Sequence, residues 1–277
     1  MSATAPSPAG PSPAGLGPAG PGPAGLSAAD LLDAAALCRL GPPIRAAVHL
    51  ATHALPGLSF DEAAGLAIGA RDAALIRLYT AMFGSRLQLA TRCPACATRL
   101  DVSLSTETLS VAPSSRTETG AMATVGIGGQ IFAIRPLTSA DLAMIAEFED
   151  IEAGRRSLAR RCLVPIGEEN APQTPSIQEI PDLWETLDAE ALDAISAALA
   201  EIDPGSDFYV TLTCFACAES WEAPIDAARI LATEIEAAAD RLMDDVHELA
   251  LAYHWSETEI LALPPSRRQA YLTRLGR

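Results

Sequence analysis

Two Cys-x-x-Cys pairs, Cys93-Pro94-Ala95-Cys96 and Cys214-Phe215-Ala216-Cys217, constrain this chain more than any other feature. Two intervening residues let both sulfurs of a pair converge on one metal from a tight turn. Two such turns facing each other complete a tetrahedral four-thiolate site, the usual geometry of structural zinc. The flanks match as well: Leu100 answers to Trp221, Asp101 to Glu222 and Leu104 to Ile225. Each pair therefore reads as a knuckle with an extended segment on either side. Because Cys96 and Cys214 lie far apart in sequence, a substantial insert must leave the first knuckle and return at the second. The expectation is one structural zinc per chain, held by Cys93, Cys96, Cys214 and Cys217. Iron in the same ligands, and redox or disulfide chemistry, stay open as alternatives. Cys38 shares a helical face with Leu31 and Ala35, and Cys162 lies one turn after Leu158; both are expected to be small buried hydrophobes.

Composition narrows the rest. Of 277 residues, 49% are apolar and only 5% aromatic, which favours helices and allows a core of real size. The expected fold class is mainly α (α+β): a helical protein with a split four-cysteine zinc ribbon and a small β-hairpin in the insert. A net charge of −16 argues against a nucleic-acid surface, which needs clustered cations. From Pro181 to Pro264 the only cations are Arg229 and Arg241. Every basic side chain apart from histidine is arginine, which removes the P-loop lysine and Schiff-base chemistry. No stretch is long and apolar enough to span a membrane, and the N-terminus lacks a secretion signal. Six cysteines in a chain this long do not make a disulfide scaffold, so a reducing cytoplasm fits best.

Four segments are expected. Residues 1–26 repeat Pro-Ala-Gly with a period of five at Pro8, Pro13, Pro18 and Pro23, a disordered tail and not a collagen helix. Residues 27–104 form a helical region ending in the first knuckle, residues 105–207 the insert, and residues 208–277 the second knuckle with C-terminal helices. Ser27 with Asp30, Thr138 with Asp141, and Ser256 with Glu259 read as capping boxes. Gly69-Ala70-Arg71-Asp72 leads a helix that Gly84 ends. Residues 124–127 and 130–134 flank Gly128-Gly129 as a hairpin. A helix follows with Leu142, Ile145 and Phe148 on its apolar face, then an arginine-bearing one near Arg155 to Leu163. A Pro- and Glu-rich loop covers Pro165 to Pro181, and a last insert helix starts at Asp188.

The longest expected element runs from Asp226 to Tyr253. Leu231, Ile235, Ala238, Leu242, Val246, Leu249 and Tyr253 make one apolar stripe at spacings of three and four. Such a helix would reach roughly 40 Å, longer than a small core needs. Its other face carries Glu234, Glu236, Asp240, Asp244, Asp245 and Glu248. That face is either simply solvated or a docking surface for a basic partner. His49 and His53, spaced i, i+4 with no acidic partner in that turn, are expected to pack or lie at the surface, and His247 and His254, seven apart near the end of the long helix, to be structural.

No catalytic constellation assembles. Gly-x-Ser-x-Gly, His-Glu-x-x-His and Gly-rich phosphate loops are absent, and no His-x-Glu accompanies the cysteines as a zinc deaminase requires. A four-cysteine site leaves no open position for water, so its metal is not expected to be catalytic.

Three motifs carry a family resemblance. The C-terminal run Glu248-Leu249-Ala250-Leu251-Ala252-Tyr253-His254-Trp255-Ser256-Glu257, followed by Arg267-Arg268-x-x-Tyr271-Leu272, is one. Gly69-x-Arg71-Asp72-x-x-Leu75 ahead of Cys93-Pro94-x-Cys96, and Arg135-Pro136-Leu137-Thr138, are the others. Together they resemble a family encoded with contractile phage tails and related injection machines, similar to the T-even phage baseplate hub assembly chaperone. The chain departs from that pattern in its Pro-Ala-Gly tail and in Cys-Phe-Ala-Cys-Ala. There a Pro after the first Cys and a Gly after the second would be expected; the changes touch turn chemistry and not the ligands. The resemblance implies a non-enzymatic role, as assembly factor or permanent part, with baseplate or hub proteins as partners and no nucleic acid or membrane. Two other classes compete: a zinc-ribbon module binding nucleic acid or the transcription machinery, which the acidic charge disfavours, and a Cys-x-x-Cys thiol oxidoreductase.

Overall fold

The computed structural model describes residues 25–110, 122–127, 129–165 and 187–276. Most of the Pro-Ala-Gly tail, the loop around Pro113 to Gly120, Gly128 and nearly all of the segment from Pro165 to Pro181 lie outside the described residues. The chain is mainly helical with small sheets. Helices α1 (Ala28–Leu40), α2 (Pro43–Ala54), α3 (Phe60–Ala64) and α4 (Ile68–Phe83) come first. The first hairpin, β1 (Arg86–Arg92) and β2 (Arg99–Ser105), follows with a short α5 (Thr106–Ser110). Then come β3 (Ala123–Ile127), β4 (Gln130–Ile134), α6 (Ser139–Ile145), α7 (Ile151–Cys162), β5 (Leu163–Pro165) and α8 (Ala189–Ile202). The second hairpin is β6 (Phe208–Thr213) and β7 (Ser220–Ile225), and α9 (Ala227–Tyr253), α10 (Glu257–Leu261) and α11 (Pro265–Arg274) complete the chain.

Local chemistry sets most of these limits. The three expected capping boxes are present, each serine or threonine hydroxyl accepting from the backbone three residues on. A fourth, Ser59 with Glu62, starts α3. Gly84 ends α4 at φ 89°, a conformation open to glycine.

Three expectations in the insert need correction. The helix after Thr138 stops at Ile145, and Phe148 is exposed, not part of its buried face. The chain turns there so that Asp150 can cap α7, which therefore begins at Ile151 and not near Arg155. Leu163, read as the end of that helix, instead opens β5, which adds to β4 with Ile134 opposite Leu163. The triple-stranded sheet could not be seen in the sequence because three residues are too few for a periodic signal.

Among the described residues three larger apolar clusters organise the packing, besides a small one at the cysteine turns. The first gathers α1, α2, α4 and the N-terminal half of α9 around Leu50, Leu75, Leu78, Leu231 and Ile235. The second lies in the insert, where Phe132, Ile134, Cys162, Leu163, Leu192 and Ile195 join the sheet to α7 and α8. The third packs the C-terminal half of α9, through Leu242, Val246 and Leu249, on Ile260 and Leu272 of α10 and α11. The length of α9 thus has a physical reason: one stripe serves two clusters. Leu31 and Leu32 of α1 pack against both.

The acidic side of α9 is partly used internally. Arg39 of α1 reaches Asp240 at 2.6 Å and Glu236 at 3.7 Å, and also donates to the Glu236 carbonyl. Asp245 feels the buried Arg268 of α11. His254 closes α9 in the left-handed conformation at φ 55°, the structural role its position implied.

Two polar joints shape the insert, one tying it to α4 and one bracing it internally. At the start of α4, the Gly69 N–H donates to Asp203 Oδ2 at 2.9 Å, the Ile68 N–H to the Leu137 carbonyl, and Arg71 to Ser139 Oγ at 2.9 Å. A Cβ on Gly69 would collide with the Asp203 carboxylate and come within 2.9 Å of Gly205 Cα, so glycine is required. Burial pushes the Asp72 and Asp203 carboxyls up, against the pull of Arg71 on the first and of the Gly69 amide on the second.

Asp141 is the second joint, 1% exposed. It accepts from Arg135 at 2.7 and 2.9 Å, from Arg161 at 2.9 Å, and from the Thr138 amide and hydroxyl. Burial alone would raise its carboxyl, but these donors, Arg135 first, hold it down at about 2. Its stabilisation is therefore complete above the ordinary value of 3.8 and is lost as pH falls through about 2. Asp141→Asn leaves two guanidinium groups without their counter-charge and should cost about 3 kcal/mol in urea unfolding at pH 7. At pH 2 the gap between variant and parent should narrow.

Candidate metal centre

The two hairpins are built alike from the strand residues upward. In β1 and β2, alternate positions turn Leu87, Leu100 and Leu104 inward. In β6 and β7 the same alternation places Phe208, Val210, Trp221 and Ile225. Leu104 and Ile225, matched in sequence, both pack on the first core and root the hairpins there. Leu100 and Trp221, also matched, meet further out with Val102, Cys93 and Cys214 in a small cluster of their own.

The turns repeat the same hydrogen bonds. The Cys93 N–H donates to the Thr98 carbonyl at 2.9 Å and the Ala97 N–H to the Cys93 carbonyl at 2.9 Å. In the second turn, Cys214 N–H reaches the Glu219 carbonyl at 2.8 Å and Ala218 N–H the Cys214 carbonyl at 2.9 Å. Ala97 and Ala218 both sit in the left-handed region, at φ 58° and 61°. This is the position where the resemblance led to an expected glycine, and the backbone has kept the conformation that glycine suits.

All four sulfurs converge, lying within 4.8 Å of one another. Two of their contacts cross between the hairpins: Cys93 to Cys217 at 3.6 Å and Cys96 to Cys214 at 3.7 Å. The first cysteine of each turn thus meets the second of the other, a two-fold-like exchange. A tetrahedron with metal–sulfur bonds of about 2.3 Å has edges of about 3.8 Å, so the four sulfurs are spaced to hold a metal ion. Cys93 and Cys214 are buried, Cys96 and Cys217 exposed. The Ala216 N–H points at Cys214 Sγ, 3.4 Å away. The Thr98 hydroxyl, 3.2 Å from Cys96 Sγ, with the Thr98 amide and Cys217, draws the Cys96 thiol down to about 6. Cys217 goes the other way, to about 12: the Glu219 amide favours its thiolate, but the hydrogen bond to Cys96 opposes it and wins. One sulfur ionises readily and its neighbour resists, as expected of thiols competing for charge in one small space.

Among the described residues no other group of His, Cys, Asp or Glu is close enough to share a metal. His49 and His53 stack edge to face at 4.9 Å, a packing contact. Cys162 is fully buried and its thiol is pushed up to about 12 by burial, while Cys38 is half-buried and raised to about 11 for the same first reason. Cys162 is the small buried hydrophobe expected, while Cys38 packs only partly buried against the first core. The residues that sequence reading missed are Asp203, Gly205 and Ser139.

The left-handed alanines give a direct test. Ala218→Gly removes a steric cost of roughly 1–2 kcal/mol and adds unfolded-chain entropy of about 0.4–1 kcal/mol. The variant should be more stable by about 0.5–1 kcal/mol in guanidinium unfolding, the difference of those two terms. A destabilised variant would mean that the Ala218 methyl makes a contact outweighing its strain.

Comparison with known proteins bears on what this arrangement belongs to. The family described as T4 bacteriophage base plate protein matches residues 56–226. No curated protein and no solved structure matches the chain. The matched span takes in both cysteine turns and the Gly69, Arg71 and Asp203 joint, and it ends at the cap of α9, so the C-terminal run from Glu248 lies beyond it. No described helix is long and apolar enough to cross a membrane. With more than half of its length matched, the chain belongs to the T4 bacteriophage base plate protein family.

Proposed function

We propose that this protein is a non-enzymatic assembly factor or structural component of the baseplate or hub of a contractile tail-like injection system. In this reading one structural zinc, bound by Cys93, Cys96, Cys214 and Cys217, closes a split zinc ribbon. The observation that carries the metal reading is the convergence of four sulfurs from two turns with the same backbone hydrogen bonds. Soft thiolates select zinc or iron over calcium or magnesium, and four of them complete the shell without a place for substrate. Redox catalysis is disfavoured by the same geometry, because a reactive Cys-x-x-Cys sits at a helix N-terminus in the usual oxidoreductase and here each pair turns a β-hairpin. Family membership supports the baseplate reading. The protein acts in the cytoplasm during assembly, as a transient chaperone or as a part that stays in the particle, and its partners are other baseplate proteins.

The clamp gives the insert its purpose. Residues 105–207 are proposed as a unit carried between the two halves of the metal site, with their own apolar cluster. The metal fixes the two ends of that unit at one point.

Elemental analysis of protein purified without chelator should find one zinc per chain, and less than half an equivalent would count against the reading. Cys214→Ser should lose the metal and loosen the first hairpin as well as its own, because each turn holds only half of the site. Structural zinc contributes about 10 kcal/mol or more of apparent binding energy in small peptides, so a large fall in melting temperature is expected. For the partner, co-purification with tail components encoded beside this chain should weaken between low and high salt if the remaining exposed acid on α9, Asp244 above all, steers a basic surface. Asp244→Asn should lower recovery without touching zinc content. Equal recovery at both salts and in both proteins would leave that face merely solvated.

A further inference from the structure

Each close sulfur contact between the hairpins joins one buried to one exposed cysteine: buried Cys93 with exposed Cys217, and buried Cys214 with exposed Cys96. The residues between and directly after the cysteines are exposed and small or apolar: Pro94, Ala95 and Ala97 on one side, Phe215, Ala216 and Ala218 on the other. Charge enters only at the edges of the turns, where Glu219 closes the second and the Arg92 guanidinium donates to the Ala97 carbonyl of the first. The hairpins themselves are anchored well away from this point, at Leu104 and Ile225 in the first core. Bridging requires each sulfur pair to approach by about 1.6 Å, to the disulfide length of about 2.05 Å, which side-chain rotation and a small closure of the two tips can share.

We propose that Cys96 and Cys217 are oxidation sites, and that a peroxide converts the two cross-hairpin contacts into disulfides Cys96–Cys214 and Cys93–Cys217. The metal is released while the hairpins stay clamped. The inference builds on the four-thiolate reading above. In the first step the Cys96 sulfur gives two electrons to the peroxide O–O bond, becoming a sulfenic acid as one water leaves. The Cys214 sulfur, 3.7 Å away, then attacks Cys96 and expels the hydroxyl as a second water, closing the S–S bond. The two protons come from the thiols, or from solvent where the sulfurs were bound to metal. Cys217 and Cys93 repeat the sequence with a second peroxide. The clamp thus has a metal form for reducing surroundings and a covalent form for oxidising ones, each joining the same distant parts of the chain.

The test uses the full chain, loaded with zinc and titrated with hydrogen peroxide. Zinc release is followed with a coloured indicator, free thiols are counted, and disulfides are located by non-reducing peptide mass spectrometry with fragmentation between Cys93 and Cys96. Two equivalents of peroxide should release one zinc and consume four thiols. The peptides carrying Cys93–Cys96 and Cys214–Cys217 should become covalently joined in the pairing given above. Cys162, buried in the insert, should stay reduced. Dithiothreitol with added zinc should restore the starting state. Bridges within a turn, Cys93–Cys96 and Cys214–Cys217, would overturn the proposal, as would over-oxidation without bridging. Cys96→Ser should still yield Cys93–Cys217; its failure to do so in folded protein would count equally against the idea. Protein that never binds zinc yet forms both cross-bridges would uphold this inference and overturn the metal reading. Zinc-bound protein with bridges inside the turns would do the reverse.

Discussion

The Gly69 amide and the Asp203 carboxylate meet at a contact that only glycine allows, and the rest of the molecule depends on it. A carboxylate at the start of a helix satisfies an N–H that has no partner within the helix and sits favourably on the helix dipole. Here that carboxylate ends the insert. Its docking brings Gly205 against Gly69 and sets the point from which β6 departs. The second hairpin can lie beside the first only because the chain re-enters here. Arg71 and Ser139, one turn along, hold the other side of the insert to the same helix end.

The cost of the arrangement is visible in the buried carboxyls of Asp72 and Asp203, both raised by desolvation. Partly compensated charges of this kind seldom add net stability, and their usual merit is geometric: they permit one arrangement and penalise others. Asp141 is the contrast. Its donors outnumber its desolvation, its carboxyl is lowered, and it welds the strand exit at Arg135 to α6 and α7. One joint places the insert and the other stiffens it.

Both joints use residues of the familial motifs, Gly69-x-Arg71-Asp72 and Arg135-Pro136-Leu137-Thr138. Neither motif touches the four sulfurs. In this member of the base plate family they act on the path of the chain between the cysteine turns. The polar joints orient the insert, the apolar clusters hold it, and the two cysteine turns bring four sulfurs to one point.

Three of the capping boxes, the two cysteine turns and the long amphipathic helix were legible in the sequence, because each follows from chemistry within a few residues. Ser27, Thr138 and Ser256 cap helices through hydroxyls that reach only three residues on. The matched spacings after Cys93 and Cys214 likewise dictate two like turns, down to alanines held in a conformation that suits glycine. Tertiary structure decided the rest. Whether two distant turns would face each other depends on Asp203 finding Gly69, a pairing with no local periodicity. The three-residue β5 exists only because β4 offers it an edge. The acidic face of α9 read as one surface, yet Arg39, nearly two hundred residues earlier, takes two of its carboxylates. Opposite charges far apart in a chain carry no sign of their pairing until packing brings them within reach.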